Sequence, residues 1–393
     1  MIEIDAGFPG GSVMVEDVDE ARGRIRFAPG HHPGRGWQAW YYFRVRGLDP
    51  ATAPVRLELA RHDWKWLSRA HFSLDDRSWA QTEPGQATDG YMRYEVEAAS
   101  NELWFAWGVP YLPRHADQLA RDALEEGPPV QSFELCRSTE GRPVQGLRLG
   151  ATGSDEPLGI WVQARQHAWE ASASWVCDEL VRWLLSTDPR ARRVRSLAEI
   201  HVVPIMDVDN VVRGAGGKGE DPRDHARDWD AAPHWPAVAA VQGRIRALAS
   251  EGRFDVFLDI HGPGREAPFF FTRPREMLPP VAAERLERFQ RVANVRPWSD
   301  KVARGDRSPS TDLYYEEKVP GRLGPHDFCF AARIPPGVGA VEWLYGEVTS
   351  TALALVLETV ADTPLASAAG LRRQAEAIGV ALGRYLDDVT RPS

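Results

Sequence analysis

The feature that most constrains the fold is a change of hydrophobic pattern near residue 150. Before this point, short segments alternate apolar and polar residues, are rich in aromatic side chains, and are separated by a turn signal about every ten residues. This pattern is typical of strands with one buried face. After it, continuous apolar segments alternate with segments of helical periodicity, which is typical of a mostly parallel sheet covered by helices. The chain is therefore predicted to contain two structurally different parts.

The first part is predicted to be an N-terminal antiparallel β-sandwich domain at residues 1–125. Its predicted strands lie at 23–29, 38–48, 55–62, 91–98 and 102–111, and a short helix is predicted at 114–125. A length of 393 residues exceeds what one hydrophobic core usually serves, so two domains are expected.

The second part, residues 126–393, is predicted to be a mixed, mostly parallel α/β/α domain. Its strands are predicted at 158–165, 199–206, 254–260 and 353–358, and its helices at 170–185, 234–250 and 370–389. A polar, Gly-rich loop is predicted at 213–223. The segment 298–340 is rich in Gly, Pro and charge, and we expect it to form a long loop near the functional site.

Composition excludes several classes of protein. The net charge of −9 argues against a nucleic-acid partner, which usually requires a basic face. Three widely spaced cysteines form no disulfide framework, so a reducing cytoplasm is expected. The N-terminus has no apolar signal core, and no segment approaches the roughly 20 apolar residues of a membrane span. We therefore expect a cytoplasmic protein without a membrane partner.

Three side chains suggest a metal site at the ends of two predicted strands. His167 and Glu170 lie three residues apart where one strand ends and a helix begins, and His261 ends another strand. Open α/β sheets bind ligands at such carboxyl ends. Each feature alone is more often a surface pair or a capping residue. Together they match the imidazole and carboxylate ligands that zinc prefers, with a fourth position left for water. We predict one Zn²⁺ per chain.

The spacing of His167, Glu170 and His261 resembles that of a known protein family. An H-x-x-E motif followed, about ninety residues later, by a strand ending in His resembles the zinc metallocarboxypeptidases. The predicted sandwich, with aromatic segments at 40–45, 72–79 and 104–113 and a junction at 135–144, is similar to their cytosolic carboxypeptidase-like branch. The resemblance spans nearly the whole chain. It implies a carboxypeptidase-like catalytic domain that cleaves the C-terminus of a peptide or protein with a zinc-bound water and a glutamate base.

The resemblance also implies where that base lies. The family places a glutamate at the end of a late strand, and Glu342 and Glu358 both compete for the role. An A-V-E-W run followed by an apolar strand ending in Glu favours Glu358 as the catalytic base, although a strand-end glutamate is otherwise usually a cap or an ion-pair partner. Val341 and Glu342 then match the lining of the pocket for the C-terminal side chain. Glu342 either favours a basic substrate residue or pairs with an arginine of the fold.

A D-L-N-R-like motif of the family has its counterpart at residues 224–227. Arg227 matches the arginine that binds the substrate's terminal carboxylate, which a guanidinium can contact through two hydrogen bonds. Asp224 matches the carboxylate that orients the first zinc histidine. In a polar loop, Arg227 could instead be a solvated charge. Nearby, residues 204–210 resemble an N-P-D-G turn, whose acidic residues are expected to stabilise the turn rather than to bind a second metal.

The chain departs from the family pattern at two places. Ala226 stands where the family has an asparagine that also binds the carboxylate. Gly216, Gly217 and Lys218 stand where an Asn-x-Arg is usual, and that arginine stabilises the developing oxyanion. Lys218 or Arg213 could replace that arginine. Of these two cations, Lys218 is the one that we predict to bind substrate.

Three functions remain open from the sequence. The leading one is a zinc carboxypeptidase. A second is a zinc amidohydrolase that deacylates a small N-acyl amino acid, although that branch generally lacks the N-terminal sandwich. The third is a metal-binding scaffold that recognises C-termini without turnover, which the two departures motivate.

Overall fold

The structure of the chain is a computed structural model. It describes residues 1–49, 54–97, 100–125, 129–151, 156–264, 268–273, 275–293, 296–297, 329–332, 339–361 and 363–390. Most of the segment 298–340, which we expected to form a long loop, lies outside these residues.

The N-terminal strands form two sheets. They are β1 (Glu3–Asp5), β2 (Met14–Asp19), β3 (Arg24–Ala28), β4 (Tyr42–Arg46), β5 (Val55–Ala60), β6 (His71–Ser73), β7 (Trp79–Gln81), β8 (Gln86–Thr88), β9 (Tyr91–Val96) and β10 (Glu102–Ala106). One five-stranded sheet has the order β1-β4-β10-β6-β7, and the other has the order β2-β3-β5-β9-β8. All pairs are antiparallel except β3 with β5, which are parallel.

Aromatic side chains join the two sheets into a sandwich. The ring of Phe27 on β3 lies 4.9 Å from Phe43 on β4 and 5.9 Å from Phe105 on β10. Tyr94 on β9 also contacts Phe105, at 5.8 Å. These residues are fully buried, as the alternating pattern of the strands predicts. The predicted N-terminal antiparallel sheets are confirmed.

The remaining strands form one mixed sheet. They are β11 (Val130–Arg137), β12 (Pro143–Gly150), β13 (Leu158–Ala164), β14 (Ala198–Val203), β15 (Val256–Gly264), β16 (Phe269–Thr272), β17 (Arg296–Pro297), β18 (Cys329–Ala332) and β19 (Leu353–Val360). The nine-stranded order is β11-β12-β14-β13-β15-β19-β16-β18-β17. Its centre, β14-β13-β15-β19, is parallel, so the carboxyl ends of these strands lie at one edge.

Helices connect these strands. They are α1 (Pro113–Glu125), α2 (Ala171–Leu185), α3 (Pro189–Leu197), α4 (Val208–Arg213), α5 (Pro236–Ser250), α6 (Pro280–Val292), α7 (Ala340–Trp343) and α8 (Ala368–Thr390). Among the described residues, no helix is both long and apolar enough to cross a membrane. The predicted helix-covered, mixed α/β sheet is confirmed. The division at residues 125 and 126 stays a prediction.

The central strands are buried on both faces. On β15, Val256, Leu258 and Ile260 belong to the core that includes α2, α6 and α8. Phe257 points to the opposite core, which includes α5 and the N-terminal sandwich. Because successive side chains of a strand alternate between faces, Asp259 and His261 lie on the Phe257 face. The predicted site residues therefore face the N-terminal part of the chain.

Candidate metal centre and substrate pocket

Strand register brings the site residues together. In the parallel pair β13–β15, Gln163 is opposite Asp259. In the parallel pair β15–β19, His261 is opposite Glu358. His167 and Glu170 belong to the turn that joins β13 to α2, so both occupy the same edge of the sheet.

The three predicted ligands converge on one point. His167 Nδ1 lies 2.7 Å from Glu170 Oε1, and His261 Nδ1 lies 3.0 Å from Glu170 Oε2. The two imidazole rings are 5.0 Å apart, and all three side chains are buried. Two ring nitrogens and a carboxylate, close enough to share one ion, are a donor set that suits zinc. The geometry therefore fits the metal that the sequence suggests.

The electrostatics of this cluster fit a cation as well. Burial raises the pKa of Glu170, but the charges and hydrogen bonds of His167 and His261 outweigh it and hold that pKa well below its usual range. Burial lowers the pKa of His261, but Asp259 and Glu170 outweigh it and raise that pKa well above its usual range. A metal ion bound here would neutralise the same buried carboxylates as a proton on His261 and would therefore displace that proton.

Asp224 lies behind the first histidine, as predicted. Its Oδ1 is 3.6 Å from His167 Nε2, and neither atom has a hydrogen-bond partner among the described residues. Its Oδ2 accepts a hydrogen bond of 2.9 Å from the backbone N–H of Gly219. Burial raises the pKa of Asp224, but His167 and Gly219 outweigh it and keep that pKa well below its usual range. A carboxylate held in its charged form is suited to orienting an imidazole.

The second histidine has a carboxylate partner that we did not predict. Asp259 Oδ2 lies 3.2 Å from His261 Nε2, and Asp259 is itself buried. The signal was present in the sequence, because residues two apart on a strand share a face.

The remaining predicted residues line one open pocket. Besides His167 and His261, it is lined by Lys218, Arg227, Val341, Glu342 and Glu358. The base and the residues predicted to bind substrate thus share the pocket with two of the three predicted ligands.

Glu342 has two hydrogen-bond partners within the protein. Its Oε1 accepts a hydrogen bond of 3.0 Å from Arg273 Nε, and its Oε2 accepts one of 3.1 Å from the backbone N–H of Gly339. Glu342 therefore pairs with an arginine of the fold. Arg273 also lines the pocket, and no sequence motif singled it out.

The departure at residues 216–218 has a steric cause. A side chain at Gly216 would collide with the backbone oxygen of Trp37. Gly217 has a φ of +77°, and a Cβ there would lie 2.5 Å from an oxygen of Asp207. Neither position can hold the larger residues of the family, because Trp37 of the N-terminal part blocks position 216, and Asp207 and Ala168 block position 217, where the positive φ also favours glycine.

The two candidate replacement cations differ in position. Arg213 hydrogen-bonds to Glu140 and lies outside the pocket. Lys218 lines the pocket, and its Nζ lies 5.3 Å from the ring centre of Trp37, within range of a cation–π contact.

The 204–210 turn behaves as a helix cap. Asp207 Oδ1 accepts a hydrogen bond of 3.2 Å from the backbone N–H of Asn210 at the start of α4. Asp207 also belongs to a second buried acidic and histidine group, with Glu220 and His225. There the Asn210 amide donates to Asp207 at 2.8 Å and to Glu220 at 2.6 Å, and His225 Nδ1 lies 3.1 Å from Glu220. These contacts pair both carboxylates and the histidine within the group, whereas Asn210 Oδ1 has no hydrogen-bond partner among the described residues.

The helix-covered α/β sheet carries its buried His-Glu-His cluster at the carboxyl ends of its parallel strands, where such sheets bind ligands. A family profile described as zinc carboxypeptidase matches residues 121–229. An uncharacterized Zymomonas mobilis protein is 27% identical over 329 residues, which are 82% of this chain and 81% of that protein. Human cytosolic carboxypeptidase 4 is 28% identical over 184 residues, 42% of this chain. The match covers only 16% of the human protein's own length.

Solved structures agree in fold over the whole chain. A metallo-carboxypeptidase from Burkholderia cenocepacia gives a TM-score of 0.76 at 21% identity, covering 99% of this chain and 100% of that one. A metallo-carboxypeptidase from Pseudomonas aeruginosa, in complex with (2-guanidinoethylmercapto)succinic acid, gives a TM-score of 0.72 at 24% identity. The match covers 98% of this chain and 100% of that one. Residues 121–229 thus match a zinc carboxypeptidase domain, and cytosolic carboxypeptidases are among the homologues of this chain.

Proposed function

We propose that this chain is a zinc-dependent carboxypeptidase that removes C-terminal residues from peptides or proteins. The observation that carries the proposal is a single pocket lined by His167, His261, Arg227 and Glu358. A metal centre, a cation for a terminal carboxylate and a candidate base are the parts that this reaction needs. Cytoplasmic location is part of the proposal and is supported by the cytosolic homologues.

In this proposal His167, Glu170 and His261 hold one Zn²⁺ per chain, and Asp224 orients His167. When bound, zinc supplies a Lewis acid that polarises the scissile carbonyl and lowers the pKa of water. The side chains of the pocket supply the remaining chemistry.

Glu358 is proposed as the base. Its carboxylate accepts a proton from the attacking water while the oxygen forms a bond to the carbonyl carbon. The bond from carbon to the leaving nitrogen then breaks, and Glu358 returns the proton to the amine. Its place opposite His261 in the β15–β19 register puts the base on the strand next to a proposed ligand.

Arg227 is proposed to bind the substrate's terminal carboxylate, which restricts cleavage to the last residue. Lys218 is proposed to stabilise negative charge on the carbonyl oxygen, in place of the family's arginine. Val341 and Glu342 are proposed to line the site of the C-terminal side chain. Because Glu342 is already paired with Arg273, its charge offers a basic substrate residue little attraction.

The direct test is mass spectrometry of peptides incubated with the zinc-loaded protein. A series of products, each shorter by one residue at the C-terminus, is expected. The same peptides with an amidated C-terminus are the control and should resist cleavage. Equal cleavage of the amides would contradict the role of a free carboxylate. Release of acyl groups from N-acyl amino acids, with peptides left intact, would instead establish the deacylase.

The scaffold alternative rests on two departures from the family, the missing arginine at residues 216–218 and the missing asparagine at Ala226. Its methyl group lacks the amide of the family's asparagine, so Arg227 binds the carboxylate without that partner. Full zinc content with no cleavage of any peptide or acyl substrate would establish this alternative.

Replacing Arg227 with alanine is expected to raise KM about 10- to 100-fold, because a hydrogen-bonded charge pair is worth about 1.5–3 kcal/mol. Steady-state kinetics on a peptide and on its amide measure the effect. Arg246→Ala is a matched control, because Arg246 lies over the ring of Trp343 and does not line the pocket. Equal KM values for wild type and Arg227→Ala would remove Arg227 from the proposal.

Replacing Lys218 with methionine is expected to lower kcat about 100-fold with KM nearly unchanged, since the charge on the carbonyl oxygen develops in the transition state. Lys218→Arg should recover part of the loss. Arg213→Met, at the cation paired with Glu140, should leave kcat unchanged. If Arg213→Met caused the larger loss, the assignment of the two cations would be reversed.

A further inference from the structure

Two buried hydrogen-bond chains run from tryptophan side chains to His261. One passes from Trp229 through Gln166 to Asp259. The other passes from Trp161 through Gln163 to the same carboxylate. All five residues are at least 97% buried, so hydrogen bonds within the protein have to satisfy their polar atoms.

The direction of each chain follows from the indoles. A tryptophan Nε1–H can only donate, whereas the amide of a glutamine can be turned end for end without changing its shape. Trp229 Nε1 donates to Gln166 Oε1 at 2.8 Å, which leaves Gln166 Nε2 to donate to Asp259 Oδ2 at 2.5 Å.

The second chain has the same direction. Trp161 Nε1 donates to Gln163 Oε1 at 3.1 Å, and Gln163 Nε2 donates to Asp259 Oδ1 at 3.2 Å. Each oxygen of Asp259 therefore accepts a hydrogen bond from a glutamine amide N–H.

The direction of these hydrogen bonds also determines which nitrogen of His261 carries a proton. Asp259 Oδ2 lies 3.2 Å from His261 Nε2, and a carboxylate in this position requires a proton on that nitrogen. Gln166 Nε2 lies 3.4 Å from the same nitrogen, which is a longer contact with a neutral group. With the proton on Nε2, the lone pair of Nδ1 points toward Glu170, 3.0 Å away.

We propose that Trp229 and Gln166 are positioning residues that act through Asp259. They hold His261 with its proton on Nε2 and its Nδ1 free to bind the metal ion. The proposal rests on the proposed metal centre but on no property of the substrate. Neither residue belongs to the proposed ligand set. Gln166 lies just before His167, and Trp229 lies in the loop before α5.

The test is the affinity of the purified protein for Zn²⁺, measured by competition with a chromophoric chelator in the absence of substrate. Trp229→Phe keeps the aromatic ring and removes the N–H, so Gln166 can turn and present its oxygen to Asp259. Zinc binding should weaken about 10- to 100-fold, as for other partners of metal-binding histidines.

Trp343→Phe is the matched control. Trp343 packs on Trp229 with ring centres 5.4 Å apart, is equally buried, and within the described part of the chain its Nε1 has no partner. The same loss of an N–H there should leave zinc affinity unchanged. Thermal unfolding of both apo-proteins verifies that each variant is folded.

A second variant tests the direction of the chain. Gln166→Glu still accepts from Trp229 but places a carboxylate against Asp259, so zinc affinity should fall further. A purely space-filling role for Gln166 predicts wild-type zinc affinity for this variant, which has nearly the same shape. Nitrogen NMR of ¹⁵N-histidine in the zinc-loaded wild type should place the His261 proton on Nε2.

Zinc affinity in Trp229→Phe and Gln166→Glu equal to that of Trp343→Phe would overturn the proposal, and so would a protonated Nδ1 on His261. Both measurements are independent of peptide cleavage. Absence of carboxypeptidase activity would contradict the proposed function but not the role of Trp229 and Gln166. Unchanged zinc affinity in their variants would contradict that role but not the proposed function.

Discussion

Replacing His261 with alanine is expected to abolish stoichiometric zinc binding. The change removes one of two imidazole ligands and leaves a buried Glu170 and Asp259 without their shared partner. Zinc with only His167 and Glu170 loses a third protein ligand, which three-ligand catalytic sites need. Metal content after dialysis, measured by mass spectrometry, should fall from one equivalent per chain to background.

His201→Ala is a suitable control for this loss. His201 is also a buried strand histidine, on β14, where it stacks on Trp161 and lies 2.9 Å from Glu199. Its removal leaves a comparable gap but should retain one equivalent of zinc. A folded His261→Ala protein that keeps its zinc would show that the three-residue ligand set is wrong.

Replacing Glu358 with glutamine is expected to lower kcat about 100- to 10,000-fold, the usual range for loss of a general base. Glutamine keeps the size of the side chain but cannot take a proton from water. Zinc content should stay at one equivalent, since Glu358 is not among the proposed ligands. Single-turnover cleavage of a peptide at saturating zinc separates the chemical step from metal binding.

Glu342→Gln provides the comparison for Glu358→Gln. Both glutamates line the pocket, but Glu342 is already paired with Arg273 and with the backbone of Gly339. Its substitution should change KM or side-chain preference and leave kcat within a few-fold. A larger loss of kcat at Glu342 than at Glu358 would exchange their assigned roles.

The positions of the proposed metal ligands and of the proposed base could be predicted because their signals are local. His167, Glu170, His261 and Glu358 each end or follow a buried strand, and hydrophobic pattern locates strand ends well. Parallel pairing then places such ends at one edge of a sheet, which makes their proximity a consequence of topology.

The contacts that tune the site were not predictable in the same way. Glu342 with Arg273 and Lys218 with Trp37 join residues far apart in sequence, and no periodicity or motif relates them. The same holds for Trp229 and Gln166, which are 63 positions apart. Asp259 is the exception, since its place two residues before His261 already puts both side chains on one face.

The amino-acid sequence by itself determined the contrast between the N-terminal antiparallel sheets and the helix-covered mixed sheet, the resemblance to the zinc carboxypeptidases and part of the pocket lining. These follow from hydrophobic period and from short motifs, which depend on neighbours along the chain. Only the tertiary structure decided which charges in the pocket are already paired, why glycines occupy 216 and 217, and what orients His261. Such properties depend on packing between distant segments, where a shift of one ångström makes or removes a hydrogen bond.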